Sequence, residues 1–245
     1  MSVPEPKLQR KRTSDAVVDY ILDELFSGKL REGDRVDLDL LAETLGVSRV
    51  PVREALAQLE RDGVVRMPHH RGAFIAAFDA RTIREAFELY GMLNGLTSSR
   101  VATRRDREVI EVLDALEKRI ERTRDVDEFE LLAREVRRVV NLAGGGPHLR
   151  ALLKIFRGLV PAAARLGMRD AMPQERQYIS AELAAIRRGS AATAAKTVIE
   201  HIRYSGECAI AGLVRRGVFE DVHTEEVPEP STELLRVIRA TLGGA

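Results

Sequence analysis

The sequence has no tryptophan, and aromatic residues make up only 4% of its 245 positions. It is rich in Ala, Leu, Val, Arg and Glu instead, a composition that leans towards helices. A single cysteine, Cys208, excludes an intrachain disulfide and any CxxC metal motif. No apolar run approaches the roughly 20 residues of a membrane span. The N-terminus, MSVPEPKLQRKRTSD, carries charges with no apolar stretch behind them, so it does not read as a secretory signal. A cytoplasmic protein with no membrane partner is expected. Repeats and low-complexity tracts are missing, and so is an excess of charge. The 39 Lys+Arg and 38 Asp+Glu leave a formal net charge of +1. That argues against a generic polyanion binder but leaves room for a focused one.

The length predicts two domains. Residues 1–12, with two prolines and the basic run KLQRKR, read as a flexible arm. SDAVVDYILDELFSGKL predicts a first helix, with Ser14 as N-cap and Val17, Ile21, Leu22 and Leu25 as its apolar stripe. Gly28 ends it, and REGDRVD reads as a turn. LDLLAETLG predicts a short second helix closed by Gly46, and a third runs from Ser48 to about Asp62. Val64, Val65, Ala73, Phe74 and Ile75 are strand formers around the turn chemistry of Pro68–Gly72, so 64–76 predicts a two-stranded hairpin. Three helices and a wing over 13–78 make a winged helix-turn-helix. Beyond Phe78 the pattern stays helical. Helices are expected near 79–103, 106–124, 127–142, 147–168, 174–188 and 191–217, with one break at Met172–Pro173. The fold class is therefore mainly α: an N-terminal winged helix-turn-helix and a C-terminal all-α bundle over 79–220. A linker and a terminal helix, STELLRVIRATLGG, follow over 221–245. Cys208, in mid-helix, reads as a small buried residue.

The third helix carries the clearest chemistry. Ser48 can bond the free amides of its first turn, and Pro51 is tolerated there because those amides lack intrahelical partners. Val52, Leu56 and Leu59 face the core. Arg49 and Arg53, four apart, share another edge with Val50 beside them. Two arginines flanking a short apolar surface at a helix N-terminus suit a DNA major groove, where arginine can read guanine or clamp phosphate. Alone, the two arginines would read as solvated surface; the preceding helix, the tight LGVS turn and the wing point to DNA. At the wing tip PHHRG, His70 and Arg71 are candidate backbone contacts, and Gly72 permits close approach. The adjacent pair His69 and His70 makes a poor metal site. Charge is segregated accordingly: five arginines and three acids lie between 49 and 71, while acids concentrate between Asp15 and Glu43.

The stretch GKLREGDRVDLDLLAETLGVSRVPVREALAQLERDGVVRMPHHRGAFIA resembles the DNA-binding domain of the GntR family of bacterial transcriptional regulators. The resemblance rests on G(K/R)LxxGxxL, LAxxLGVSRxPVREALxxLExxGxV and the RGAFV-like wing strand, over residues 14–76. The remainder, with AGGGPHL and AIRRGSAATAA, is similar to the FadR/FCD-type effector domain. The resemblance implies a homodimeric repressor on a palindromic operator, with a small-molecule effector in the helical domain. The family often places a DNA-contacting arginine just ahead of its ELAE motif; here Asp39 precedes LLAE, and an anion beside phosphate is unfavourable.

Many FCD domains hold a divalent metal through one Asp and three His. By the register of AREVRRVVNLAGGGPHL, the first two ligand positions hold Ala133 and Arg137, the next Ile179, and only His201 matches. One imidazole cannot hold a metal that wants about four ligands, so no metal and no cofactor are expected. The pocket is expected to be re-lined by Tyr90, Asn94, Arg137, Tyr178 and His201. Arg137 is either a buried cation that binds an anionic effector or a solvated neighbour of Arg134 and Arg138. His201 is either a ligand or a satisfied core histidine. A branch of the family without the metal ligands binds acyl-CoA thioesters, so the resemblance implies an acyl-CoA, or another lipid-derived or carboxylate metabolite, as the effector class. No nucleophile–base pair, Gly-rich phosphate loop or carboxylate constellation suggests an enzyme. The alternative function is a winged-helix adaptor that contacts proteins and has no specific operator.

Overall fold

The computed structural model describes residues 13–69 and 71–219. The expected N-terminal arm, the linker and terminal helix over 221–245, and His70 lie outside the described residues. Packing divides the described chain into two compact units. One holds 13–86, 151–167 and 206–219; the other holds 87–150 and 168–205. The first unit thus takes in two segments from beyond the sequence-expected boundary at Phe78.

In the first unit, α1 (Thr13–Phe26) buries Val17, Val18, Ile21, Leu22, Leu25 and Phe26, a stripe recurring every four residues. Ser14 falls inside α1 rather than ahead of it. After a turn, β1 (Arg35–Val36) leads into α2 (Leu38–Leu45). Asp37 caps α2 by accepting hydrogen bonds from the amides of Asp39 and Leu40. Gly46, at φ 61°, ends the helix in the left-handed conformation that a Cβ disfavours. The chain then enters α3 (Arg49–Arg61), whose Val52, Ala55, Leu56 and Leu59 pack into the core. The wing consists of β2 (Val65–Arg66) and β3 (Ala73–Ile75), which pair antiparallel. The sheet has three strands in the order β1-β3-β2, not the expected two. The stretch read as a turn, REGDRVD, contains β1, and Arg35 and Val36 pair with Phe74 and Ala73.

The helices that follow are α4 (Ala80–Arg104), α5 (Arg107–Arg122), α6 (Val126–Gly144), α7 (Pro147–Leu153), α8 (Leu159–Ala164), α9 (Met168–Arg188) and α10 (Ala191–Arg215). The core of the second unit joins Val101 of α4, Leu113 and Ile120 of α5, Phe129, Val136 and Val140 of α6, and Ile179, Leu183 and Ile186 of α9. Asp106 and Asp125 cap α5 and α6 through side-chain bonds to first-turn amides.

Two expected boundaries move, both because of proline. The single helix expected over 147–168 is α7, a 3-10 turn (Lys154–Arg157) and α8. Pro161 has no N–H to offer the Arg157 carbonyl, and it suits the first turn of a fresh helix. The break expected at Met172–Pro173 does not occur, since Pro173 lies inside α9. One backbone bond is lost there, but Ala171, Glu175, Ile179, Glu182 and Leu183 bury a continuous stripe across the site. Cys208 is half-buried rather than buried.

Candidate nucleic-acid interface and buried polar centre

α3 presents two faces. Val52, Leu56 and Leu59 are fully buried, whereas Ser48, Arg49, Val50 and Arg53 are exposed. Ser48 occupies the N-cap position with extended backbone, but its side chain makes no capping hydrogen bond. The expected cap is thus conformational only, and the hydroxyl stays exposed. Val50 and Leu40 are each 63% exposed, a small apolar surface beside the arginines. Arg49 is not an isolated cation. Its Nε stands 2.7 Å from Asp39 Oδ1 as an ion pair, and both side chains are 66% exposed.

At the wing tip, the Arg71 amide donates to the Pro68 carbonyl, and Arg71 and Gly72 are exposed. Gly72 adopts φ 90°, a conformation that glycine takes without strain. Arg35, which sequence reasoning passed over inside an apparent turn, brings its Nε to 3.5 Å from where a Cβ on Gly72 would stand. Arg66 lies over the Phe74 ring at 5.1 Å. Strand pairing sets both arginines opposite Phe74, so they add cations to the wing. The only signal in the sequence was the short Arg-Val step before Asp37.

The far end of α3 meets a carboxylate. Burial pushes the Asp62 carboxyl up to about 7, against the opposing pull of the Arg61 charge and the nearby amides of Gly158 and Leu159. Those amides approach without reaching hydrogen-bonding geometry, so both carboxylate oxygens stay unpaired.

The second unit contains a buried polar centre built from α4, α6, α9 and α10. On α4, Thr97 donates to Asn141 Oδ1 of α6 at 2.7 Å, and Ser98 donates to Glu182 of α9. Asn94 and Arg137 stand one turn before Thr97 and Asn141 on the same two helices. Arg137 forms a two-pronged pair with Glu182, one prong at 3.0 Å; its side chain is 12% exposed and that of Glu182 is 0%. Burial alone would depress the Arg137 pKa, but the Glu182 carboxylate outweighs it and the net direction is up. Two turns earlier on α9, Glu175 Oε2 lies 2.5 Å from His201 Nε2, Ser205 donates to Glu175 Oε1 at 2.5 Å, and Tyr178 stacks on His201. His201 Nδ1 and Asn94 Oδ1 are buried and have no partner.

Arg137 is not on a wet face; its neighbours Arg134 and Arg138 are exposed and pair with Glu130 and Glu135. Nor is it a free cation, because Glu182 already takes its charge. His201 is a core histidine satisfied on one nitrogen only. Glu175 and Glu182 were missed in the sequence. Their signal was two acids seven apart on the apolar stripe of α9. The donor set does not fit the family's metal: Ala133 and Ile179 cannot ligate, Arg137 is cationic, and His201 is committed to Glu175. Among the described residues no three His, Cys, Asp or Glu side chains are grouped to hold an ion.

A helix-turn-helix with an exposed Arg-Val-Arg edge, followed by a basic wing, defines a winged-helix DNA-binding protein. Residues 13–75 match the family described as "Bacterial regulatory proteins, gntR family". An "Uncharacterized HTH-type transcriptional regulator" of Mycobacterium tuberculosis is 38% identical over 213 residues, 87% of each chain. The "Probable D-xylose utilization operon transcriptional repressor" of Paenarthrobacter nicotinovorans is 26% identical over 188 residues, covering 74% of this chain and 83% of that one. The solved structure of E. coli McbR/YncC superposes with a TM-score of 0.58 at 17% identity, covering 84% of this chain and 98% of that one, a likeness of fold. The chain belongs to the GntR family and is a DNA-binding transcriptional regulator.

Proposed function

We propose that the protein is a homodimeric repressor that binds a palindromic operator through α3 and the wing. Ser48, Arg49, Val50 and Arg53 meet the major groove, while Arg71 and Gly72, with His70, meet the adjoining backbone. The observation that carries this reading is the two-faced α3: four core side chains on one side, and an exposed Arg-Val-Arg edge on the other. The relative named as a repressor supports the direction of control. The protein works in the cytoplasm and catalyses no reaction; no helix among the described residues is long and apolar enough to cross a membrane.

The helical region, of FCD type, is the dimerisation and effector-binding part, and the effector acts at the buried polar centre of Tyr90, Asn94, Arg137, Tyr178 and His201. Two buried polar atoms without partners support this, because an unpaired buried polar atom costs about 1–3 kcal/mol. Glu182 already pairs with Arg137. A carboxylate or acyl-CoA, the class suggested by the family resemblance, has to displace Glu182 from Arg137 first. A ligand that supplies hydrogen-bond partners to Asn94 and His201 need not.

Footprinting of full-length protein on the DNA flanking its own gene tests the operator. Protection of an inverted repeat is expected, and Arg53→Ala should erase it while leaving the dimer intact. An unchanged footprint in that variant would remove α3 from the interface. Thermal melts with succinate, octanoyl-CoA, glycerol and xylose, with and without Zn²⁺, test the centre. Marked stabilisation by the metal would overturn the reading of Ala133, Arg137 and Ile179.

A further inference from the structure

We propose that Asp39 is a specificity-determining residue that positions Arg49 to read a guanine rather than to clamp a phosphate. This rests on the placement of α3 in the major groove. Asp39 is the second residue of α2, and its amide is held by the Asp37 side chain at 2.8 Å, so the carboxylate projects from a pinned helix end. Arg49 is the first residue of α3. Their ion pair closes at Nε, one of the three guanidinium nitrogens, and links the first turns of both helices of the motif. Nε is the atom of closest approach, so the two terminal nitrogens of Arg49 lie further from the carboxylate. Guanine presents O6 and N7 side by side, and an end-on arginine meets them with those same two nitrogens. An arginine tethered through Nε therefore keeps its base-reading end available with its torsions restricted.

The sign of the charge argues the same way. An acid at a DNA surface opposes phosphate and weakens sequence-independent binding. It also lowers the attraction of Arg49 for a backbone phosphate without taking the donors that guanine needs. Asp39 thus trades general affinity for discrimination. The exposed side chains of Leu40 and Val50 follow Asp39 and Arg49 in sequence, and such apolar groups suit a thymine methyl beside the guanine.

The test is selection from a random duplex library by full-length protein, comparing wild type with Asp39→Ala, Asp39→Glu and Arg49→Ala. Each variant is also titrated with salt on a duplex lacking the selected site. Wild type should enrich a half-site with one guanine that Arg49→Ala no longer selects. Asp39→Ala should lose about tenfold in preference at that same position, leave the other positions unchanged, and bind the unselected duplex more tightly than wild type. Asp39→Glu, which keeps the charge, should restore part of the preference. A general loss of fold would weaken binding to both duplexes, so the opposite movement of the two affinities is diagnostic. The proposal is overturned if Asp39→Ala selects the wild-type site with undiminished preference, or if its loss falls at a different position from that of Arg49→Ala. A half-site that survives Arg49→Ala overturns it as well; footprinting of Arg53→Ala then shows separately whether α3 reads DNA at all.

Discussion

Arg49–Asp39 in the first unit and Arg137–Glu182 in the second are the same chemical pair in opposite surroundings. One is two-thirds exposed on each side, and the other is almost wholly buried. In water the exposed pair gains little and can open, so its arginine can exchange a carboxylate for a base at small loss. In the core, neither charge has water to fall back on, and each holds the other in place. A regulator needs both kinds: contacts that swap partners at the DNA face, and an interior that changes only when something specific enters it.

The comparison breaks most readily at Glu182. Glu182→Ala leaves Arg137 buried and uncompensated, so a loss of about 3–5 kcal/mol is expected in denaturant unfolding. A loss below about 1 kcal/mol would mean that water reaches the pair. Arg53→Ala is next. It should weaken operator binding by about 10- to 100-fold while moving the melting midpoint little, because its side chain is exposed; a destabilised variant would assign it to the fold.

Asp62 sharpens the comparison as a half-buried acid with no cation bonded to it. Its folded pKa of about 7 lies above the ordinary 3.8. Its contribution to stability is therefore complete below pH 3.8 and disappears as the pH rises through about 7. Asp62→Asn should match wild type near pH 4 and exceed it at pH 8 by about 1–2 kcal/mol, allowing for solvent screening. Melts across that range check it, and a gap that closes with rising pH would contradict the assignment. The smallest effect belongs to the exposed pair. Asp39→Ala should change stability by less than about 0.5 kcal/mol, which makes any change in DNA preference attributable to readout.

Local signals made α3 legible. Pro51 at a helix start, apolar residues at Val52, Leu56 and Leu59, and Gly46 before the turn all act within a dozen residues. β1 was not legible, because a two-residue strand exists only through pairing with β3 some forty residues on. Asn94, Arg137 and His201 could be singled out by register, since helical spacing carries across a family resemblance. What neutralises them could not. Glu175 and Glu182 sit where apolar residues are expected, and a lone acid in a stripe looks like surface until its arginine or histidine is seen across the bundle. Pro161 and Pro173 show the same limit: one ends a helix and the other does not, and long-range packing decides which.

The first unit draws on three stretches of chain. Phe78 meets Phe219 at 5.2 Å and Phe26 at 5.9 Å, and Gly158 lies against Val18 of α1. A fragment cut after Phe78 would keep every DNA-facing side chain and lose Gly158 and Phe219, leaving a greasy seam along α1. For anyone building hybrid sensors, the reading head is not a cartridge that ends at residue 78. It travels soluble and intact only with α8 and the end of α10 attached.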